Sequence, residues 1–384
     1  MSFLLAALLT ALSQDLSLED RLLATLPADS ARKEAGADLW IAFRPDGRAV
    51  AYADFTTRAG LAGSDKLSPA GSPMRPAWSL DGKVFAYVDH KDGKSRVVVG
   101  GKPSDLELEG GLVEGPLLNH DGSVVAYLGR AGGKNVAVVG TTREEIPLIA
   151  GADAVSRLEM SADGRHFAYV VTADKFLSSW VVADGQKGPE FQEIGKLSFT
   201  PDGKVLYGAS RHKTYHAVIV TGTDEVDVPK LNARIDRIFL GPDGKVKAYT
   251  VADGSAPLTL DDKKIKKEKN GPDGEIDALA IGTDGKTVAW RQWKSQRRTI
   301  GPAWIVVQGG KSEQYESAGR PVISAAGKIA YAAKSNGKWF VVAGDAKSDE
   351  FDFAWDPSFS PDGKKVAFGA RKGAELWWKV LDVK

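Results

Sequence analysis

Nine times along the chain an apolar residue stands three positions ahead of an Asp-Gly-type turn: Phe43, Trp78, Leu118, Met160, Phe199, Leu240, Ile281, Ile323 and Phe359. The turn residues are Asp46, Asp81, Asp121, Asp163, Asp202, Asp243, Asp284, Ala326 and Asp362, spaced 35 to 42 residues apart, the period of an array of supersecondary units. Six positions beyond the turn come Tyr52, Tyr87, Tyr127, Tyr169, Tyr249, Trp290 and Phe368, whereas Tyr207 and Tyr331 arrive one residue early, which predicts tighter fifth and eighth turns. Just before the aromatic stands Ala51, Ala86, Ala126, Ala168, Ala248, Ala289 or Ala367. Strand side chains alternate between faces, so each second strand is alanine-thin on one side and aromatic on the other. Such a strand suits a sheet packed between two neighbours, with alanine allowing close approach and the ring filling the gap.

The turn chemistry agrees with antiparallel hairpins. Pro45, Pro201, Pro242 and Pro361 preset φ, Asp follows, and Gly takes the left-handed conformation without steric cost. A further apolar run follows seven of the nine hairpins, at 97–99, 136–139, 180–182, 217–220, 304–307, 339–342 and 376–380. A more polar fourth segment appears at 105–109, 144–149, 225–228 and 349–353, as expected of an outer edge blunted by charge. A helical solenoid is excluded because the apolar spacing is two and turn signals interrupt every few residues. The expected fold is all-β: a single β-propeller of four-stranded antiparallel blades over residues 38–384, with nine motifs and nine blades. Eight is the alternative if the first motif, whose 59–67 stretch lacks a Val-rich third strand, contributes only part of a blade. The last repeat supplies three strands, so its fourth should come from the N-terminal side, where 31–37 is a poor strand former.

The stretch Ser358-Phe-Ser-Pro-Asp-Gly-Lys-Lys-Val-Ala-Phe368 resembles the hallmark of TolB-type propeller repeats, and the resemblance extends over 38–384. It implies a β-propeller but no chemistry, since such repeats occur in envelope scaffolds, in the propeller caps of prolyl-oligopeptidase-like enzymes and in stand-alone proteins. The chain departs from TolB itself, which carries an α/β domain ahead of its propeller; segments such as 180–190 and 339–345 look closer to stand-alone repeat proteins.

With 51 basic and 50 acidic residues the net charge is +1, which argues against a polyanion binder acting through bulk charge, so no nucleic-acid partner is expected. The absence of Cys removes disulfides, thiolate metal sites and thiol nucleophiles. Residues 3–12 form an apolar run followed by Ala11-Leu12-Ser13, which resembles a signal peptide over 1–13 and points to a periplasmic or secreted protein. The run is too short to span a bilayer, so no integral membrane span is expected. Residues 16–26 have helical spacing, placing a short helix in the 14–37 segment.

Six positions before the turn residue stand Arg75, Arg157, Lys196, Arg237 and Arg320, with Asp356 in the last unit; equivalent positions of successive blades would lie on one circle and focus positive potential. Two longer loops carry aromatics: 211–216, and 291–300 with Trp293, Arg297 and Arg298. Glu107, Glu109, Glu144, Glu145, Asp224, Glu225, Asp349 and Glu350 make the outer edges acidic. The blander account is that hairpin tips collect Lys and Arg for solubility, and that the inner-strand Arg residues snorkel to water or pair with neighbouring acids. No nucleophile elbow, phosphate loop, H-E-x-x-H or EF-hand loop occurs, and His212 and His216 sit in a predicted loop, so neither metal nor cofactor is expected. The expectation is a monomeric, non-catalytic, exported scaffold that binds a protein or carbohydrate on a basic loop face. The alternative is a propeller hydrolase or lyase with acids such as Asp236, Asp277 and Asp356 at the channel mouth.

Overall fold

A computed structural model of the chain describes residues 16–33, 39–58, 60–63, 65–66, 71–110, 114–140, 142–145, 152–161, 163–173, 178–229, 231–251, 259–260, 263–264, 275–296, 299–307 and 310–383. Over these residues the chain is all-β apart from the four-residue helix Ala28–Ala31. Its strands form nine antiparallel sheets of four or five strands, one for each turn motif. The first sheet runs Leu39–Phe43, Val50–Asp54, Gly60–Ala62 and Asp65–Lys66, so the first motif contributes a complete four-stranded sheet. Sheets two to eight repeat this meander. The fourth, for example, orders Ala152–Met160, Phe167–Ala173, Ser178–Ala183 and Gln186–Phe191 from one edge to the other. Two compact units are distinguished, Pro27–Asp236 and Arg237–Lys384 together with the segment ending at Leu26. Sheets one to five belong to the first unit and seven to nine to the second; the division falls within the first strand of sheet six, Ile235–Leu240.

Packing follows the alternation in the sequence. All seven alanines of the repeat are buried, as are Tyr52, Tyr87, Tyr127, Tyr169, Tyr207, Trp290, Tyr331 and Phe368. Four core clusters join two successive sheets through this pairing. Ala126 of sheet three packs with Tyr169 of sheet four, Ala168 with Tyr207 of sheet five, Ala248 with Trp290, and Ala330 with Phe368. Burying such a ring is worth roughly 2–3 kcal/mol, and alanine opposite leaves space for it. The column ahead of the turns is less sequestered than the pattern alone implies: Phe199 and Leu240 are buried, but Phe43, Trp78, Leu118, Met160, Ile281, Ile323 and Phe359 are half-buried. These residues lie beside the turns, where water reaches the strand ends.

The turns interlock as well. Gly164 adopts φ +71°, and a Cβ there would collide with Asn119 of the preceding turn; Gly203 at φ +83° stands the same way against His166. Glycine is therefore required both for the left-handed backbone and for the close approach of successive sheets.

Three sequence expectations are corrected. The helical spacing of 16–26 gives way to a strand, Arg21–Thr25, which pairs with Glu375–Asp382 and completes the ninth sheet. This strand, rather than 31–37, is the N-terminal contribution. It is tied down by Leu26 N–H to Ala374 O (2.8 Å), Val380 N–H to Asp20 Oδ1 (2.8 Å) and Trp378 Nε1–H to Ser17 O (2.9 Å). Second, the outer strand of sheet eight is Ala346–Lys347, while Phe353–Ala354 already belongs to the first strand of sheet nine. Third, the expected loop at 291–300 is a hairpin of two nine-residue strands, Val288–Gln296 and Thr299–Val307. The apolar run at 3–12 lies outside the described residues, and among the described residues no helix is long and apolar enough to cross a membrane.

At the end of the strand Val50–Asp54, the fully buried Asp54 accepts hydrogen bonds from Ser30 Oγ (2.6 Å), Lys33 Nζ (2.7 Å) and the Thr56 and Thr57 amides (3.0 Å each). A buried carboxylate needs such donors, and here they fasten the short helix to the sheet.

Candidate functional site

The first strands of sheets three and four, together with the segment leading into that of sheet five, border an open cleft of about 230 Å³. Glu114, Arg157, Glu159 and Lys196 bring charge to it, and Leu117, Leu158 and Leu197 supply apolar lining. Local backbone irregularity sets this arrangement. The pairing of Glu114–Leu118 with its neighbour slips between Glu114 and Leu117, and that of Ala152–Met160 slips between Ser156 and Glu159. Gly115 (φ +95°) and Arg157 (φ +59°) occupy the slips in left-handed conformations, as does Arg75 (φ +51°) in sheet two. Bulges of this kind re-aim side chains, and a non-glycine residue there carries backbone strain that its surroundings must hold.

Arg157 is held by its own contacts. Its guanidinium donates to the carbonyls of Ile194 and Gly195, the latter at 2.8 Å, and so closes the start of sheet five against sheet four. Burial and the neighbouring Arg234 pull its pKa below the ordinary range, opposed by Asp236, Glu114 and Glu193. Glu114 accepts the N–H of Leu158. Burial, followed by repulsion from Glu114, pushes the Glu159 carboxyl above the usual carboxylate range, with Lys196 pulling the other way. The cleft thus sets a carboxyl group whose pKa burial raises beside Glu114, Arg157 and Lys196.

Of the residues expected from sequence, Arg157 and Lys196 meet at this cleft. Arg75 is half-buried in the bulge of Ser72–Trp78. In the second unit, Arg237 is half-buried on Ile235–Leu240, and Arg320 is exposed, its backbone N–H donating to Asp356 Oδ1 at 2.9 Å. Trp293 stands opposite Ala303 in the long hairpin and packs against the cluster holding Ala303, Tyr315, Tyr331 and Phe340. Arg297 and Arg298, and the side chain of Asp277, lie outside the described residues. Asp236 pairs with Arg234 at 3.3 Å.

The expected separation of basic tips from acidic edges is absent where pairs are described. Arg211 bridges Glu225 and Asp227, each at 2.9 Å, and Glu107 pairs with Lys94 (2.6 Å) and Arg96 (3.5 Å). Basic residues at these hairpins thus neutralise the neighbouring edge acids. Among the described residues no group of three or more His, Asp or Glu could hold a metal ion.

Glu114 and Glu159 were not singled out by sequence reasoning. A signal for Glu159 was present: the position four before the turn reads Ala42, Ala77, Leu117, Glu159, Ser198, Phe239, Ala280, Val322 and Ser358, so one carboxyl interrupts a column otherwise apolar or small.

No family model matches the chain, and no curated protein matches it. Among solved structures it is similar to a eukaryotic initiation factor, with 13% identity, a TM-score of 0.47, and coverage of 88% of this chain and 90% of the other. It is also similar to the C-terminal WD40 domain of Sif2, at 13% identity and a TM-score of 0.44, covering 95% and 98%. A third is an oligogalacturonate lyase from Vibrio parahaemolyticus, at 12% identity and a TM-score of 0.41, covering 91% and 98%. None of these passes an activity to this chain.

Proposed function

We propose that the nine sheets are the blades of one TolB-type β-propeller, and that the protein is a non-catalytic, exported, monomeric scaffold that captures a partner at the cleft of Glu114, Arg157, Glu159 and Lys196. One observation carries this reading: three successive sheets deliver these four charged side chains to one opening from paired, interlocked strands. A rigid framework fixes such groups before a partner arrives and lowers the entropic cost of binding. The nine complete sheets support nine blades over eight. Export rests on the 3–12 run and is tested by whether the protein recovered from the periplasm of a bacterial host begins after Ser13.

The capture experiment compares immobilised wild type with Lys196→Glu in envelope extract. Lys196 is exposed, so charge reversal leaves the fold intact. A protein or glycan held by the wild type and released by the variant supports the reading; equal retention overturns it.

A hydrolase or lyase acting at the same cleft is favoured by Glu159, whose carboxyl pKa burial raises above the usual carboxylate range. Turnover of a glycan panel that disappears in Glu159→Gln would establish it in place of the scaffold.

A further inference from the structure

We propose that Asn336 is a site of spontaneous covalent modification, its side-chain amide passing through a cyclic imide with the Gly337 nitrogen to aspartate and isoaspartate, and that the Glu316 carboxylate sets the rate. The site lies in the second unit and stands or falls independently of the capture reading.

Asn336 and Gly337 form the two-residue tip between the strands Ile329–Ser335 and Lys338–Ala343 of sheet eight. Both are left-handed, at φ +50° and +74°, the backbone that a tight Asn-Gly hairpin adopts. Asn336 is exposed, so water reaches its amide. The residue after it has no side chain, and a Cβ placed on Gly337 would meet nothing within 4 Å, so no group crowds the approach of one to the other. The other Asn-Gly pair of the chain, Asn270-Gly271, lies outside the described residues.

Water is the only co-reactant. The Gly337 nitrogen bonds to the side-chain carbonyl carbon of Asn336, the carbon–nitrogen bond of the side-chain amide breaks, and ammonia leaves carrying the proton that the Gly337 nitrogen gives up. Water then opens the imide at either carbonyl, leaving a carboxylate on a normal or a lengthened backbone. That nitrogen attacks only after losing its proton, and here its N–H donates to both carboxylate oxygens of Glu316 at 3.2 Å. Glu316 is placed by its own backbone, whose N–H donates to Lys334 O at 2.9 Å. A carboxylate bonded to an N–H stabilises the protonated form, and its charge opposes the anion that must form next. The contact therefore restrains the step that the tip otherwise invites. Once the product forms, a second carboxylate stands beside Glu316, and the isoaspartate form adds a backbone atom between Ser335 and Lys338, which are paired in the hairpin. Lys338 bridges Asp352 at 2.6 Å, at the start of sheet nine, so modification loosens a link between the two sheets.

The test incubates the full chain and its Glu316→Ala variant in mildly alkaline buffer. The new carboxyl is located by peptide mass and the isoaspartate by enzymatic methylation, which separates Asn336 from Asn270. Glu316 is exposed, and a melting curve checks that the variant is folded. Glu316→Ala should gain isoaspartate at Asn336 about tenfold faster than wild type, the effect of losing one charge-assisted hydrogen bond on the attacking nitrogen. Glu316→Gln, which keeps an acceptor without the charge, should fall between them. In urea, where the contact is gone, all three chains should react at one rate. No isoaspartate at Asn336 in the folded variants, equal rates in the folded chains, or a difference that persists in urea would each overturn the proposal.

Discussion

Five of the nine turns are held by a hydroxyl two positions before the turn residue: Ser79, Ser161, Thr200, Ser324 and Ser360. Ser161 Oγ donates to Asp163 at 2.6 Å and accepts the His166 amide at 2.9 Å; Ser79 and Ser360 act alike. In the fifth and eighth turns the amide bonded to Thr200 or Ser324 is four residues on instead of five, so Tyr207 and Tyr331 arrive early for a structural reason legible in the sequence. Ser324 also makes up for Ala326, where the aspartate is missing. Ser161→Ala should lose two hydrogen bonds and about 1–2 kcal/mol, read from the shift of the urea midpoint. Asp54 yields a second outcome at this scale. Burial works against its carboxylate, but hydrogen bonds from Lys33, Ser30 and Thr57 hold it down at about 2. A folded value below the unfolded one stabilises fully above about pH 4 and loses its effect as pH falls toward 2. Asp54→Asn should therefore be less stable than wild type by about 2 kcal/mol at pH 7, with the gap closing between pH 4 and 2 in urea titrations. At the cleft, the column interrupted by Glu159 was readable, whereas Glu114 was not, because its place depends on a pairing slip that composition does not encode.

Between elements, the alternation of alanine and ring was the most informative pattern, since one strand carries both halves of two interfaces. Ala168→Leu should overpack the contact with Tyr207 and cost about 1–3 kcal/mol, while Tyr207→Ala should cost about 3–5 kcal/mol by leaving a cavity. Calorimetric melting of the two variants checks both values; a neutral Ala168→Leu would mean the sheets are not in close contact there. The strand Arg21–Thr25 was misread because Leu22, Leu23 and Leu26 carry a helical spacing. Pairing with an open sheet edge overrode it: Leu26 is 3% exposed, yet Leu22 remains 45% exposed, a balance that propensity cannot foresee. The outer strand of sheet eight was placed late for a similar reason. Glu350 and Phe351 resemble a blunted edge, but Phe351 forms a bridge to Trp339 and packs on Phe368 at 5.9 Å.

Across the molecule, near-neutral net charge is matched by local neutralisation of edge acids by hairpin bases, so the cleft of the first unit is distinguished by burial rather than by surplus charge. Hydrogen exchange should follow the order of strands within each sheet. Amides of Val205–Ser210 and Lys365–Lys372, flanked on both sides, should outlast those of the exposed Asp224–Asp227 edge by several orders of magnitude. Comparable rates in edge and interior strands would contradict the burial described. The ninth sheet adds a constraint of timing. Asp20, just ahead of the strand Arg21–Thr25, accepts from the Val380 amide 360 residues later, so during translation that partner appears only after the whole intervening chain. The sheet cannot be finished before Val380 has been made, and until then the early segment stays available to whatever cellular machinery handles nascent chains.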